Sequence, residues 1–420
     1  ISKVLCSWYN FSAFRTVEEK ITAARLALEL DRNAWNYVFE ALPTNARSIL
    51  GEIHKPKYRQ HVENEPITKL EMIQIVEQYV ILLIEKIDFN PDRCAKLLGI
   101  ADKLSEKISN KIFDTVLYQV SQMSAFEQAD LKKQIRQIIY KHRYYESASW
   151  AMGEKKVKKY EELLNKITIS IPEYEYVYLF DADHNDILLN PIPYDQAGKL
   201  DANEEKNQEV IKNQIAEFKE KRLDLSILAE ACSLSKTSYL GRFLAKYDND
   251  FFNLNTFEIL YNSQEHKSMA LDYCRGMYTK DKTVFEKVMA IKDDLKYDDS
   301  FIVGMYRIQA LDAEDIPLVD SATKRIKRLF WKSESHLNKN YEWALRECKK
   351  YGTLSVYVHL LFNANMTCRF SNEVLFDYML DIYMMPQDEQ IGNLQYYISE
   401  LLEPLQKEYA AVPEKAKKLV

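Results

Sequence analysis

Glycine is scarce, with 9 residues in a chain of 420. The closest pair, Gly276 and Gly304, stands too far apart for a Walker A loop, a dinucleotide-binding turn or a nucleophile elbow. Each of those needs glycines within a few residues, so that the backbone can turn sharply or approach a phosphate. The sequence therefore argues against nucleotide binding by those routes. The six cysteines, Cys6, Cys94, Cys232, Cys274, Cys348 and Cys368, are scattered without a C-x-x-C pair, which reads as reduced, mostly buried thiols of an intracellular chain. Long apolar runs are missing as well. The longest, "YVILLI" (79–84), is bounded by Gln78 and Glu85, far short of the roughly 20 residues a membrane span requires. There is no excess of positive charge: 57 basic residues face 63 acidic ones, a net charge of −6, which disfavours a dedicated nucleic-acid binder. No signal peptide opens the chain, and its start at Ile1 suggests a piece of a longer protein.

One stretch comes close to a metal site. In "FDADHND" (180–186), Asp181, Asp183 and Asn185 alternate as the first ligands of a calcium loop do. That loop also wants glycine at its sixth position and glutamate at its twelfth, where this chain has Asp186 and Ile192. The following "NPIPYD", with Pro191 and Pro193, imposes an extended connection where a second helix would start. A polar loop is the expectation, with no metal and no cofactor.

What is present is helix. The chain is 47% hydrophobic and 29% charged, enough to bury a large core, and few glycines and prolines suit helices joined by short polar turns. In "ITKLEMIQIVEQYVILLIEKI" (67–87), Thr68 and Glu71 form a capping box, and Leu70, Ile73, Val76, Val80, Leu83, Ile84 and Ile87 recur at three- and four-residue steps. The same spacing predicts helices near 90–101, 108–122, 124–143 and 153–166. After a break come 201–221, 223–233, 236–246, 251–262, 265–279, 282–296, 313–331, 338–350, 353–364, 371–384 and 391–409. The period-two "ITISIPEYEYVYLF" (167–180) predicts a short strand or hairpin at the break. Many short helices in series predict an all-α chain, an irregular α-solenoid of short antiparallel helix pairs with degenerate TPR- or HEAT-like repeats. The expected division is a helical segment 1–171, a connecting region 172–200 and a second helical segment 201–420.

Chemistry-bearing clusters are few. In "HKPKYRQH" (54–61), His54 and His61 flank Lys55, Lys57, Tyr58 and Arg59; no zinc spacing fits, and an inter-helix loop with a basic rim is expected. In "SATKRIKRLFWK" (321–332), Lys324, Arg325, Lys327, Arg328 and Lys332 surround Phe330 and Trp331, a pattern that can stack bases and meet phosphates. Ile326, Leu329 and Phe330 nevertheless form an inward stripe, which predicts an ordinary amphipathic helix. In "EKKVKKYEELLNK" (154–166), Val157, Tyr160, Leu163 and Leu164 face inward and the lysines outward. The Ser-rich "CSLSKTS" (232–238) has no strained turn and no histidine nearby in sequence. Lys55, Lys57, Tyr58, Arg59, Arg325, Arg328 and Trp331 are the candidates for contact with a partner.

The order of landmarks resembles the helical region that follows the NTPase module in large bacterial STAND-type proteins, including antiphage sensors of the Avs kind. The landmarks are "WNYVFEALP" (35–43), "KPKYR" (55–59), "EQYVILLIE" (77–85), "KHRYY" (141–145), "YLFDAD" (178–183), "LAEACSLSKTSYLGRFLAK" (228–246), "KRLFWK" (327–332) and "YYISELLEPLQ" (396–406). They span nearly the whole chain and contain no catalytic signature. The Walker motifs and effector of such proteins are absent, so neither NTPase nor effector activity is assigned to this segment. The resemblance implies a cytoplasmic, non-enzymatic recognition module that binds a phage protein and permits oligomerisation of the full-length protein. A general adaptor or scaffold for a cellular protein or peptide is the alternative.

Overall fold

The computed structural model describes residues 16–42, 68–180, 187–196, 201–234, 238–247, 251–263, 267–312, 316–332, 339–385 and 394–409. Among these residues every regular element is a helix and none is a strand. The chain divides into two compact units, residues 1–237 and 238–420. The connecting region 172–200 lies inside the first.

The first unit carries α1 (Val17–Leu30), α2 (Ala34–Glu40), α3 (Lys69–Glu85), α4 (Pro91–Ala101), α5 (Glu106–Val120), α6 (Ala125–Tyr144), α7 (Glu154–Lys166), α8 (Asp201–Glu220) and α9 (Leu225–Ser233). Helix starts are written locally. Thr16, Thr68 and Ser124 each accept a bond from the amide of a glutamate three residues on, whose carboxylate returns to the cap amide. Thus the capping box expected at Thr68 and Glu71 forms. Asn90 caps α4, which begins with proline, the residue whose missing amide costs nothing there.

Side-chain bonds fix the helix directions. Ser105, before α5, reaches Glu77 of α3, while Gln119 near the end of α5 accepts from the amide of Phe89, just past α3. These two helices therefore run the same way, and α4, which joins them in sequence, returns and packs on α5 and α6. Similarly, α7 sets Lys156 on the carbonyl of Asp102 and ends where Ile167 accepts from Lys132 of α6, so α7 runs back along α6. Helices α3, α5 and α7 share one direction, and α4 and α6 the other. The predicted inward face of α7 is buried at Val157, Tyr160, Leu163 and Leu164, with the Tyr160 hydroxyl donating to the carbonyl of Leu98 at 2.7 Å. Each such aliphatic side chain contributes about 1.5–3 kcal/mol on burial.

The strand expected at 167–180 is instead a 3-10 helix, Pro172–Phe180. Tyr176, Leu179 and Phe180 turn inward at three- and four-residue spacing, and the buried Glu173 carboxylate accepts from the amide of Asp224 ahead of α9 at 3.0 Å. Among the described residues there is no strand to pair with the alternating pattern and satisfy its backbone. Docking on α6 and α9 decided the conformation.

The second unit carries α10 (Leu240–Tyr247), α11 (Leu254–Ser263), α12 (Ser268–Tyr278), α13 (Val284–Ala290), α14 (Asp299–Asp312), α15 (Lys324–Phe330), α16 (Tyr341–Tyr351), α17 (Leu354–Cys368), α18 (Asn372–Met384) and α19 (Leu394–Tyr409). Two glycines let α10 and α12 come together: Gly241 lies against the backbone of Met269, and Gly276 against Ala245. Phe257, Tyr261, Tyr297 and Phe301 form one aromatic core, with ring centroids as close as 4.7 Å between Tyr297 and Phe301.

Helix α14 has no counterpart among the helices expected from the sequence. It starts where Asp298 accepts from the amide of Phe301 at 2.7 Å. Of the helix expected over 313–331, the described residues from 316 on form helix only at Lys324–Phe330, after a 3-10 turn at Leu318–Ser321. Pro317 cannot donate within a helix, and Thr323 caps the late start. The helix expected over 282–296 stops at Ala290, and Lys296 takes a left-handed backbone with φ 51°.

Candidate functional site

Of the residues singled out from the sequence, Lys55, Lys57, Tyr58 and Arg59 lie outside the described residues, as do His54, His61 and 181–186. The basic cluster at 321–332 is described and is taken apart by the fold. Trp331 is 1% exposed and packs edge-on against Phe330, with centroids 5.0 Å apart, and beside Trp343 at 5.8 Å. This removes Trp331 as a surface contact. Apolar volume beats exposure here, since a full indole is worth more inside than any single stacking contact outside. Lys327 is largely buried between Asp320 and Glu347, 3.6 Å from each. Arg325 pairs with Asp299 of α14. Lys324, Arg328 and Lys332 remain on the surface, while Ile326 and Phe330 are buried and Leu329 packs on the same core.

The buried thiols are equally quiet. Burial pushes Cys94 and Cys348 up to about 12 and raises Cys274 further, which suppresses the thiolate a nucleophile needs. In "CSLSKTS", Cys232 is buried and 235–237 lie outside the described residues. Among the described residues no three His, Cys, Asp or Glu side chains are grouped to hold a metal ion, and no helix is long and apolar enough to cross a membrane.

A different cluster emerges in the first unit, where the end of α6, the turn 145–153 and the irregular segment 187–196 meet. Tyr145, Trp150 and Tyr194 are 38%, 45% and 63% exposed, respectively, although Trp150 and Tyr194 both lie against Tyr145. Tyr145 stands 5.7 Å from both Trp150 and Tyr194, and Tyr144 closes the group at 4.8 Å from Tyr145 and 5.8 Å from Tyr194. Tyr140 stacks beneath Tyr144 at 5.2 Å. The exposed Lys141 sets its ammonium 5.1 Å from the centre of the Trp150 ring, an attraction between cation and ring quadrupole. Burial, then the neighbouring Tyr145 and Tyr194, raise the Tyr144 hydroxyl above its ordinary value, so it remains a neutral donor.

Beneath the rings lies a fixed frame. The Arg143 guanidinium, 13% exposed, bonds Glu154 at 2.6 Å and Glu161 at 2.7 Å on α7, and also the Leu189 carbonyl at 2.9 Å and Asn190 Oδ1 at 2.8 Å. Burial alone would lower its pKa, but the bonds and charges of Glu161 and Glu154 outweigh that and raise it. Asn203 of α8 donates to and accepts from the backbone of Ile192. The amide of Tyr194 then donates to the Tyr144 carbonyl at 2.7 Å. The proline-bearing segment is thereby strapped across the end of α6, with Tyr194 delivered onto Tyr144 and Tyr145.

Sequence reasoning misses this cluster, although "KHRYY" stands among the landmarks and "NPIPYD" is read as a connection. The available signal was Tyr144 and Tyr145 in succession at a helix end, where one of two adjacent rings must leave the buried face. Comparison of the chain with known protein families, with curated proteins and with solved structures gave no match.

Proposed function

We propose that this chain is a non-enzymatic protein-recognition module whose principal anchor in the first unit is the Tyr144, Tyr145, Trp150 and Tyr194 cluster. The observation that carries the reading is the exposure of Tyr145 with Trp150 and Tyr194 both packed on it, Tyr194 carried by a segment that Arg143 and Asn203 pin. Tyr and Trp dominate the energy of protein interfaces because they bury much area at little conformational cost. Exposed rings held this firmly lose little more freedom on binding. The alternating directions of α3 to α7, with α3 on α5 and α4 on α6, support reading the helices as a degenerate solenoid of antiparallel pairs, which offers a long surface to a folded partner.

The partner we propose is a folded phage protein, with the chain as the sensor region of a larger STAND-type NTPase. That part rests on the landmark order in the sequence. Under it, the missing phosphate-binding glycines belong to a separate part of the full-length protein. A general helical adaptor for a cellular protein fits the same cluster, and the choice between them falls to binding. The chain is co-expressed with individual phage structural and replication proteins, and complexes are isolated by size-exclusion chromatography. A stoichiometric complex that Trp150→Ala with Tyr194→Ala weakens at least tenfold, with unchanged melting, supports the reading. A complex indifferent to both changes moves the binding surface elsewhere, and one formed only with a host protein favours the adaptor.

A further inference from the structure

Trp150 and Tyr145 ride on a turn whose attachment to α6 passes through a titratable group. The backbone amide of Met152 donates to Nδ1 of His142 at 3.0 Å, and the imidazole edge meets the Trp150 ring with centroids 5.5 Å apart. Within the turn, Ala148 bonds back to Tyr145 and Ala151 back to Ala148. Further ties are the bond from the Tyr145 amide to the Lys141 carbonyl, the Lys141 ammonium over the Trp150 ring, the burial of Met152 and an exposed 3.4 Å bond from Gln196 to Glu146. An Nδ1 that accepts must be unprotonated, which places the single proton of the neutral ring on Nε2.

We propose that His142 is a protonation-sensitive latch that holds the turn 145–153, and with it Trp150, in its place beside Tyr145. Adding a proton turns Nδ1 from acceptor into donor, so that two N–H groups face each other and the Met152 bond is lost. The groups facing the ring act in opposite directions. Burial and the charges of Lys141 on α6 and Lys103 after α4 favour the neutral ring, while Asp102 at the end of α4 favours the charged one. Asp102 is prepared for that role, because its Oδ1 is buried without a hydrogen-bond partner. Its carbonyl is held by Lys156 of α7, and its charge also bears on Tyr160. Protonation therefore costs the Met152 bond, while the charge of Asp102 favours the imidazolium, and the turn is loosened. The latch is a property of the chain alone and can be tested without any partner.

The experiment compares the 420-residue protein with His142→Asn between pH 7.5 and 5.5. Asparagine places its Oδ1 where Nδ1 stood and cannot titrate. Peptide-resolved hydrogen exchange of 145–153, taken as a ratio between the two proteins at each pH, cancels the intrinsic pH dependence of exchange. The ratio is expected to rise severalfold as the pH falls, with a midpoint below the ordinary imidazole value of 6.5. Trp150 emission, obtained by subtracting Trp150→Phe, is expected to change over the same range in the wild type and to stay flat in His142→Asn. A constant ratio, or a Trp150 transition that persists in His142→Asn, overturns the proposal. Asp102→Asn provides a second arm if His142→Asn does not fold: the wild-type midpoint should move to lower pH, and an unmoved midpoint overturns the part given to the Asp102 charge.

Discussion

Gly241 and Met269 lie so close that a Cβ on the glycine would stand 1.9 Å from the methionine's carbonyl oxygen. That atom is backbone inside α12, which cannot yield without moving the helix. Gly241→Ala is expected to destabilise the second unit by about 1–3 kcal/mol, the usual cost of overpacking, read as a lower urea midpoint. Gly99 in α4 is the contrast, with nothing within 4 Å of its added Cβ. Gly99→Ala should raise stability by roughly 0.5–1 kcal/mol, because alanine loses less backbone freedom in a helix.

Arg143 bonds α7 and the segment 187–196 at once, and lysine cannot copy its planar fork. Arg143→Ala should cost about 1–3 kcal/mol, with the exposed position of Glu154 keeping the loss below that of a fully buried pair. Arg143→Lys should speed hydrogen exchange at 189–194 nearly as much as Arg143→Ala. Protection that survives Arg143→Lys would show that charge alone holds the strap.

The face of α15 divides the effects of substitution within one short helix. Ile326→Ala should cost about 2–5 kcal/mol and Trp331→Ala about 3–5 kcal/mol, whereas Arg328→Ala should stay within roughly 0.5 kcal/mol. Thermal and urea unfolding check all three. Salt-dependent DNA or RNA binding that disappears in Arg325→Ala with Arg328→Ala would restore a nucleic-acid role to this helix.

Two capping-box glutamates set an acid limb of stability. The Thr68 amide and then its hydroxyl lower the pKa of Glu71 below the ordinary 4.5, and the Ser124 hydroxyl and then its amide do the same for Glu127. A carboxylate held low in the folded state adds stability that is present above its unfolded pKa and lost as the pH falls through the folded one. Stability should therefore drop as the pH falls below about 4.5, and Glu71→Gln with Glu127→Gln should flatten that part of the curve. Glutamine keeps the cap geometry and removes the titration. Melting curves from pH 6 to 3 read the difference; equal slopes in both proteins would assign the acid limb to other carboxylates.

The helical sequence legibly specified much of its own local structure. Thr68 with Glu71, the stripe of α7 and the stripe of α15 formed as read, because capping and a three-to-four-residue period are short-range properties that a helix expresses wherever it is placed. Local reading failed where tertiary contact outweighed the local pattern. The alternation at 167–180 gave way to docking on α6 and α9 for want of a partner strand among the described residues. Trp331 went inside with Phe330 and Trp343 although Lys327, Arg328 and Lys332 lie close to it in sequence. The exposed aromatic cluster was legible only in the adjacent Tyr144 and Tyr145, since Tyr144 and Tyr194 are brought together by Arg143, Asn203 and a backbone bond, contacts between segments whose separation along the chain carries no period. The sequence alone determined an all-helical chain without the glycine turns of the common nucleotide sites. Which aromatic residues stayed outside was decided by the tertiary structure, because burial is a property of the whole packed surface and not of any one helix.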